Sequence, residues 1–155
     1  SFKTAMRDMD WTTVCVLAGA LGFAKGVNDS GAGQVIAEYG LSLLGGQDAS
    51  PRVVVFMLVL IGGTITNVMQ NNAVVAIMLP IAITMAQTMG VDAMPMAVAV
   101  VFGASFAFAT PIGTAPMTMS LAAGYRFSDY VKVGGLCNIL VIVVTGLCIP
   151  LLYSF

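Results

Sequence analysis

Between Val53 and Val91 the chain carries no charged side chain, yet Thr64, Thr66, Asn67, Gln70, Asn71 and Asn72 stand together in the middle of that stretch. A second interruption of apolar sequence comes at Thr110-Pro-Ile-Gly-Thr-Ala-Pro116. An amide offers two donors and an acceptor, and a hydroxyl offers one donor and two lone pairs. Asn71, Asn72 and Thr114 can therefore hydrogen-bond a carboxylate or a sulfate. Backbone carbonyls of Gly113 and Ala115, with the Thr66 hydroxyl and the Asn71 amide oxygen, can replace the water around a sodium ion. Gly113 lets the backbone approach closely. Thr64 and Asn67 are read instead as interhelical hydrogen-bonding groups, common within membranes. No catalytic residue is assigned, because no nucleophile and base pair, metal cluster or phosphate loop stands out.

The elements that must hold these groups follow from length and from proline. A spanning helix needs about 20 apolar residues, and the flanks of the polar knot, Val53 to Ile61 and Ala73 to Ala86, are each shorter. A re-entrant helical hairpin over 51–88, entering and leaving by one face, fits them. Pro111 and Pro116, around Gly113, cannot share one regular helix, since each removes an amide hydrogen and crowds the preceding turn. The run from Met96 is expected to stay helical to Ala109, break over 110–116 and restart near Pro116, which makes 95–123 a broken helix. Non-helical backbone at membrane depth is tolerated only where protein or a water-filled cavity satisfies it. Pairs of hairpin and broken helices are the pattern of secondary transporters, whose helix N-termini hold anionic groups and whose freed carbonyls bind sodium.

Elsewhere Asp10 caps a helix over 11–25, and Asn28, Asp29 and Ser30 break it and cap an interfacial helix over 30–44, which Gly45 and Gly46 end. Ser50 before Pro51 places an N-cap and a first-turn proline in the preferred order. Asn71 or Asn72 caps the returning arm, Pro80 is a tolerated kink, and Gly90 to Pro95 is a turn. A final transmembrane helix over 128–154 starts at Ser128, and Val133 to Phe155 is free of charge. The sum is an all-α membrane protein with three crossings and one hairpin.

Composition agrees. Hydrophobic residues make up 59% of the 155 and charged residues 8%, with a mean hydropathy of +0.98, against about a quarter charged in soluble domains. A net charge of −1 gives no sign of a nucleic-acid partner. Cys15, Cys137 and Cys148 lack metal-ligand spacing, there is no His, and the three are read as small buried hydrophobes. The methionines are read as lipid-facing or gap-filling, so no cofactor is expected. If Trp11 to Lys25 runs outward, Lys3, Arg7, Arg126 and Lys132 lie inside and Lys25 and Arg52 outside, the arrangement the positive-inside rule favours. The chain opens on polar residues before Trp11 and is expected to be a piece of something longer.

Three stretches in order then become specific. Asn67-Val-Met-Gln-Asn-Asn-Ala-Val-Val-Ala-Ile-Met-Leu-Pro80, Ala107-Phe-Ala-Thr-Pro-Ile-Gly-Thr-Ala-Pro116 and Gly124-Tyr-Arg-Phe-Ser-Asp-Tyr-Val-Lys-Val-Gly134 resemble the C-terminal half of a divalent anion:sodium symporter of the SLC13 type, and Asp10-Trp11 with the helix after it matches too. The family's Ser-Asn-Thr tip falls on Gln70, Asn71 and Asn72, keeping the central Asn, and its Thr-Pro-Pro-like element falls on Thr114, Ala115 and Pro116, with Met117 where many members have Asn. The resemblance implies that Thr66, Asn71, Gly113 and Ala115 line a sodium site and that Asn71, Asn72 and Thr114 contact the anion. It implies one inverted repeat of an elevator-type transporter in the plasma (inner) membrane, a missing N-terminal repeat, a homodimer and sodium as the coupling ion. The substitutions at Gln70, Asn72, Ala115 and Met117 leave a dicarboxylate, citrate or sulfate open as the anion.

Other readings need other residues. A proton-coupled antiporter or arsenite-type permease usually requires an embedded acid or His, and between Arg52 and Arg126 the only acid is Asp92 in a turn. A channel-like pore can also be built from broken helices. A membrane scaffold would rest on Gly22-Phe-Ala-Lys-Gly26, a lone small-residue packing motif.

Overall fold

The computed structural model describes residues 9, 11–46, 49–111 and 114–153. Among them every regular element is helical, as the composition requires of a chain whose backbone groups must be satisfied within lipid. Helix α1 spans Trp11–Asp29 and α2 spans Ala32–Leu43. The first runs past Lys25, the end expected for it; the exposed Lys25–Asp29 pair at 3.4 Å sits on its last turn. The break comes at Gly31, with φ +70°, and the Ser30 hydroxyl accepts the Ala32 amide at 3.3 Å.

Helix α3 spans Pro51–Ile65 and α4 spans Asn71–Met89. Ser50 is the N-cap of α3 and Pro51 its first residue, but the serine makes no side-chain cap bond. Neither Asn71 nor Asn72 is the cap of α4: that position is Gln70, also without a side-chain bond, and the two asparagines open the helix itself. Pro80 lies inside α4, and the Pro80 carbonyl accepts the Thr84 hydroxyl at 2.9 Å. With 19 residues α4 is long and apolar enough to cross a bilayer, longer than the apolar flank alone suggested, because Asn71, Asn72, Gln87 and Thr88 are taken into its ends.

Helix α5 spans Ala93–Ala104, capped by the Asp92 carboxylate, which accepts the Met94 amide at 3.0 Å. The helix stops five residues short of the expected Ala109, and 105–111 with Thr114 is irregular. The chain restarts as α6, Ala115–Ser120, followed by a 3-10 turn over Leu121–Ala123. Helix α7 is continuous from Phe127 to Leu152, with a π segment over Tyr130–Gly134. Its N-cap is Arg126, and Ser128 lies one residue inside; the Asp129 carboxylate caps instead, accepting the Arg126 amide at 2.9 Å.

Helix α3 packs against α5 and α7, and α4 packs against α5 on one side and α1 and α2 on the other. The two arms α3 and α4 touch each other less than each touches α5, which lies between them. Val54, Val55, Leu58 and Val59 of α3 meet Met96, Ala99, Val100 and Ala104 of α5 in the buried core. The crossing is tight: a Cβ on Gly103 would stand 3.0 Å from the Val59 carbonyl oxygen. On α7, Leu136, Ile139, Leu140, Val143, Val144 and Leu147 face outward and are exposed, an apolar surface that only lipid or further protein can cover. Among the described residues two helices are long and apolar enough to cross a membrane: α7, expected as a crossing, and α4, expected as a hairpin arm. Cys137 and Cys148 lie on exposed positions of α7 and Cys15 is exposed on α1, so none of the three is the buried hydrophobe anticipated; apolar residues read as core from sequence can equally face lipid.

Candidate ion and anion site

The two interruptions meet. Thr66 follows the last residue of α3, is fully buried, and its hydroxyl lies 2.8 Å from the Asn71 amide oxygen and 2.7 Å from the Ala104 carbonyl oxygen. A threonine hydroxyl has one proton, so three oxygens gather around a single donor. Ala104 is the last residue of α5, where the final carbonyls of a helix have no amide partner within it. Its carbonyl is turned to a side chain of the tip instead of to the next turn.

Asn67 makes the second tie. The Asn67 amide nitrogen donates to the Gly63 carbonyl at 2.6 Å, the amide oxygen accepts the Ala109 amide at 2.9 Å, and the Asn67 carbonyl accepts the Thr110 hydroxyl. The segment following α5 is thereby held by hydrogen bonds from the tip in place of helical ones, which is how irregular backbone survives within an apolar chain. Asn67 bonds across to the irregular segment after α5 and not to another helix, whereas Thr64 is exposed and turns back to Leu60 of its own helix at 2.7 Å.

Asn71 is half-buried and Asn72 exposed, and both sit in the first turn of α4, where unpaired amides and the helix dipole favour negative charge. Thr114 is half-buried, extended, and the N-cap of α6, and its carbonyl accepts the Thr118 amide at 3.1 Å. Among the described residues no hydrogen bond joins Thr114 to Asn71 or Asn72. Gly113 lies outside the described residues, and Ala115 is the first residue of α6. Thr66 and Asn71, then, are brought into contact, Asn72 adjoins them in sequence on the same helix end, and Thr114 stands at the far end of the segment that Asn67 anchors.

Sequence reasoning missed two contributors. One is the Ala104 carbonyl, which nothing in the sequence marks. The other is Asn138 in α7, 6% exposed, whose amide nitrogen reaches the Gly63 carbonyl at 3.0 Å. Its signal was available: a lone amide in an otherwise apolar helix, a placement that usually signifies a partner.

A protein-family model described as citrate transporter matches residues 1–155. The chain belongs to the citrate transporter family. The chain is 34% identical over 154 residues to the Uncharacterized transporter YfbS of Escherichia coli K12, covering 99% of the chain and 25% of that protein. It is 31% identical over 147 residues to Sodium-dependent high-affinity dicarboxylate transporter 3 of Caenorhabditis elegans, covering 94% of the chain and 25% of that protein. To Solute carrier family 13 member 2 of Oryctolagus cuniculus it is 30% identical over 150 residues, covering 96% of the chain and 25% of that protein. These relatives bear out the resemblance to SLC13-type divalent anion:sodium symporters. The chain spans about a quarter of the length of the curated relatives it matches.

Proposed function

We propose that the full-length protein is a secondary active transporter that couples sodium entry to symport of a small divalent anion, a dicarboxylate, citrate or sulfate. The observation that carries this reading is the oxygen cluster of Thr66, Asn71 and Ala104, where tip and break meet around one shared proton. A sodium ion is bound by oxygens that stand in for its water, often freed carbonyls of discontinuous helices. Here the Asn71 amide oxygen, the Thr66 hydroxyl oxygen and the Ala104 carbonyl are the oxygens already in contact, and the carbonyls of Gly113 and Ala115 would complete the donor set, as the resemblance implies. Na+ would turn the Thr66 proton away from Asn71 and toward the Ala104 carbonyl, freeing the Asn71 oxygen to face the cation.

The anion then sits beside the cation, on the first turn of α4, held by Asn71 and Asn72 and by Thr114 from the other interruption. Bound sodium brings the tip and the break together and adds positive charge next to the anion, so each ligand raises the other's affinity by the same factor. In this reading α3 and α4 are the arms of a re-entrant hairpin. The missing N-terminal repeat supplies the other half of the site, and the transporter is a multi-pass homodimer of the plasma membrane working by an elevator-like shift. The relatives named for sodium-dependent dicarboxylate transport favour sodium over protons as the coupling ion.

The test is uptake of radiolabelled succinate, citrate and sulfate into liposomes holding the full-length protein, with and without a sodium gradient, for wild type and Asn71→Ala. Saturable, sodium-driven uptake of one anion, lost in the variant, is the expected result. Uptake that follows a proton gradient instead, or an Asn71→Ala protein that behaves as wild type, sinks the sodium site and favours the antiporter reading.

A further inference from the structure

One face of α7 touches α6, the segment after α5 and the end of α3. Tyr130, Gly134, Asn138 and Ile142 recur at intervals of four, which places them in a line along the helix. The Tyr130 hydroxyl bonds Ser120 and reaches the Met117 carbonyl at 3.4 Å, both on α6. Gly134 lies beneath the Phe108 carbonyl so closely that any Cβ would overlap its oxygen. Ile142 packs on Gly63 at the end of α3. Between them stands Asn138, the one polar member of the line that reaches the tip.

The Gly63 carbonyl can only accept, so the Asn138 amide must present its nitrogen there, and its oxygen points the opposite way. That oxygen is buried and has no hydrogen-bond partner, alone in this among the described residues. A buried amide with one end unpaired costs folding free energy relative to an apolar side chain of similar size. Packing alone gives no reason for an asparagine here. What the residue does provide is a second donor to an oxygen already held by Asn67 at 2.6 Å. Asn67 in turn binds Ala109, and Thr66 lies three residues beyond Gly63. Asn138, the Gly63 carbonyl, Asn67 and Ala109 thus form a chain that fixes the tip against the break.

We propose that Asn138 is a positioning residue for the cation site: it touches no ligand, and it holds the α3 terminus in the register that brings Thr66, Asn71 and Ala104 together. This rests on the sodium-coupled reading above. In the full-length protein reconstituted in liposomes, Asn138→Leu should raise the half-saturating sodium concentration about fivefold, the equivalent of one net hydrogen bond. Maximal uptake at saturating sodium should stay near wild type, and the thermal midpoint in sodium-free detergent should not fall. Ile142→Val, on the same face and against the same glycine, should leave sodium half-saturation where it is. If Asn138→Leu does not fold, Asn138→Ser, which is smaller and keeps a donor, replaces it, with a shift in the same direction expected. An unchanged sodium half-saturation in a folded, transporting Asn138 variant overturns the inference, and so does an equal shift in Ile142→Val, which would reduce the effect to packing. A wild type whose uptake ignores sodium overturns the sodium reading itself, a result distinct from a sodium-dependent wild type matched by its Asn138 variant.

Discussion

Thr66 has one proton to give and two acceptors within 2.8 Å. In a site built for stability alone one of those acceptors would face a donor of its own, because a buried acceptor without a partner is costly. A cation that takes up the surplus lone pairs removes the conflict, and this is the residue-scale reason for placing sodium there. Thr66→Val keeps the volume and deletes the hydroxyl, leaving both the Asn71 oxygen and the Ala104 carbonyl without that donor. It should cost about 1–3 kcal/mol of stability, read as a lower thermal midpoint in detergent. It should also raise the half-saturating sodium concentration about tenfold in liposome uptake, equivalent to about 1.4 kcal/mol of lost binding. A variant with wild-type sodium dependence would remove Thr66 from the donor set. Thr64, two residues away, shows how little the residue type alone decides: its hydroxyl turns back to Leu60 and faces outward.

At the scale of elements, the ends of helices are where the chain spends its polar residues. The last carbonyls of α3 are all taken up: Gly62 by the Thr66 amide, Gly63 by two asparagine side chains, Thr64 by the Asn67 amide, and Ile65 by the amides of Val68 and Met69. The start of α4 is left open at Asn71 and Asn72, with Gln70 contributing no side-chain cap. One helix end closed and its neighbour open is the arrangement an anion site needs. The approach that permits it is the crossing of α3 and α5 at Gly62 and Gly103, where a Cβ on Gly62 would stand 3.3 Å from the Gly103 carbonyl carbon. Gly103→Ala puts a methyl 3.0 Å from the Val59 carbonyl oxygen and forces the helices apart. The expected cost is about 1–3 kcal/mol, measured as a fall in thermal midpoint. Since Ala104 is the next residue, weaker sodium dependence should accompany that fall. Unaltered stability would mean that the crossing has slack.

As a whole molecule, the chain leaves much apolar surface exposed among the described residues. The outward row of α7 from Leu136 to Leu147 and the tip residues Val68, Met69 and Gln70 are exposed among the described residues. Tip amides in that position need either water or further protein. The 155 residues purified alone in detergent are therefore expected to be polydisperse on size exclusion and to melt without a single cooperative transition, unlike the full-length protein. A monodisperse fragment with one sharp melt would show that the repeat is self-sufficient. Much of this was legible in the sequence, for a physical reason: polar residues and paired prolines in an apolar run are expensive in lipid, so Thr66, Asn71, Thr114 and the break at Pro111 and Pro116 announce themselves by type and spacing alone. So did the all-helical membrane class and the family. Only the tertiary structure decided that α5 ends at Ala104, that Gln70 and not an asparagine stands at the N-cap of α4, and that Asn138 reaches the tip from a helix 75 positions along the chain. The first and last of those depend on a backbone carbonyl, that of Ala104 or of Gly63, finding its partner in a distant segment, and a carbonyl is the same group in every residue.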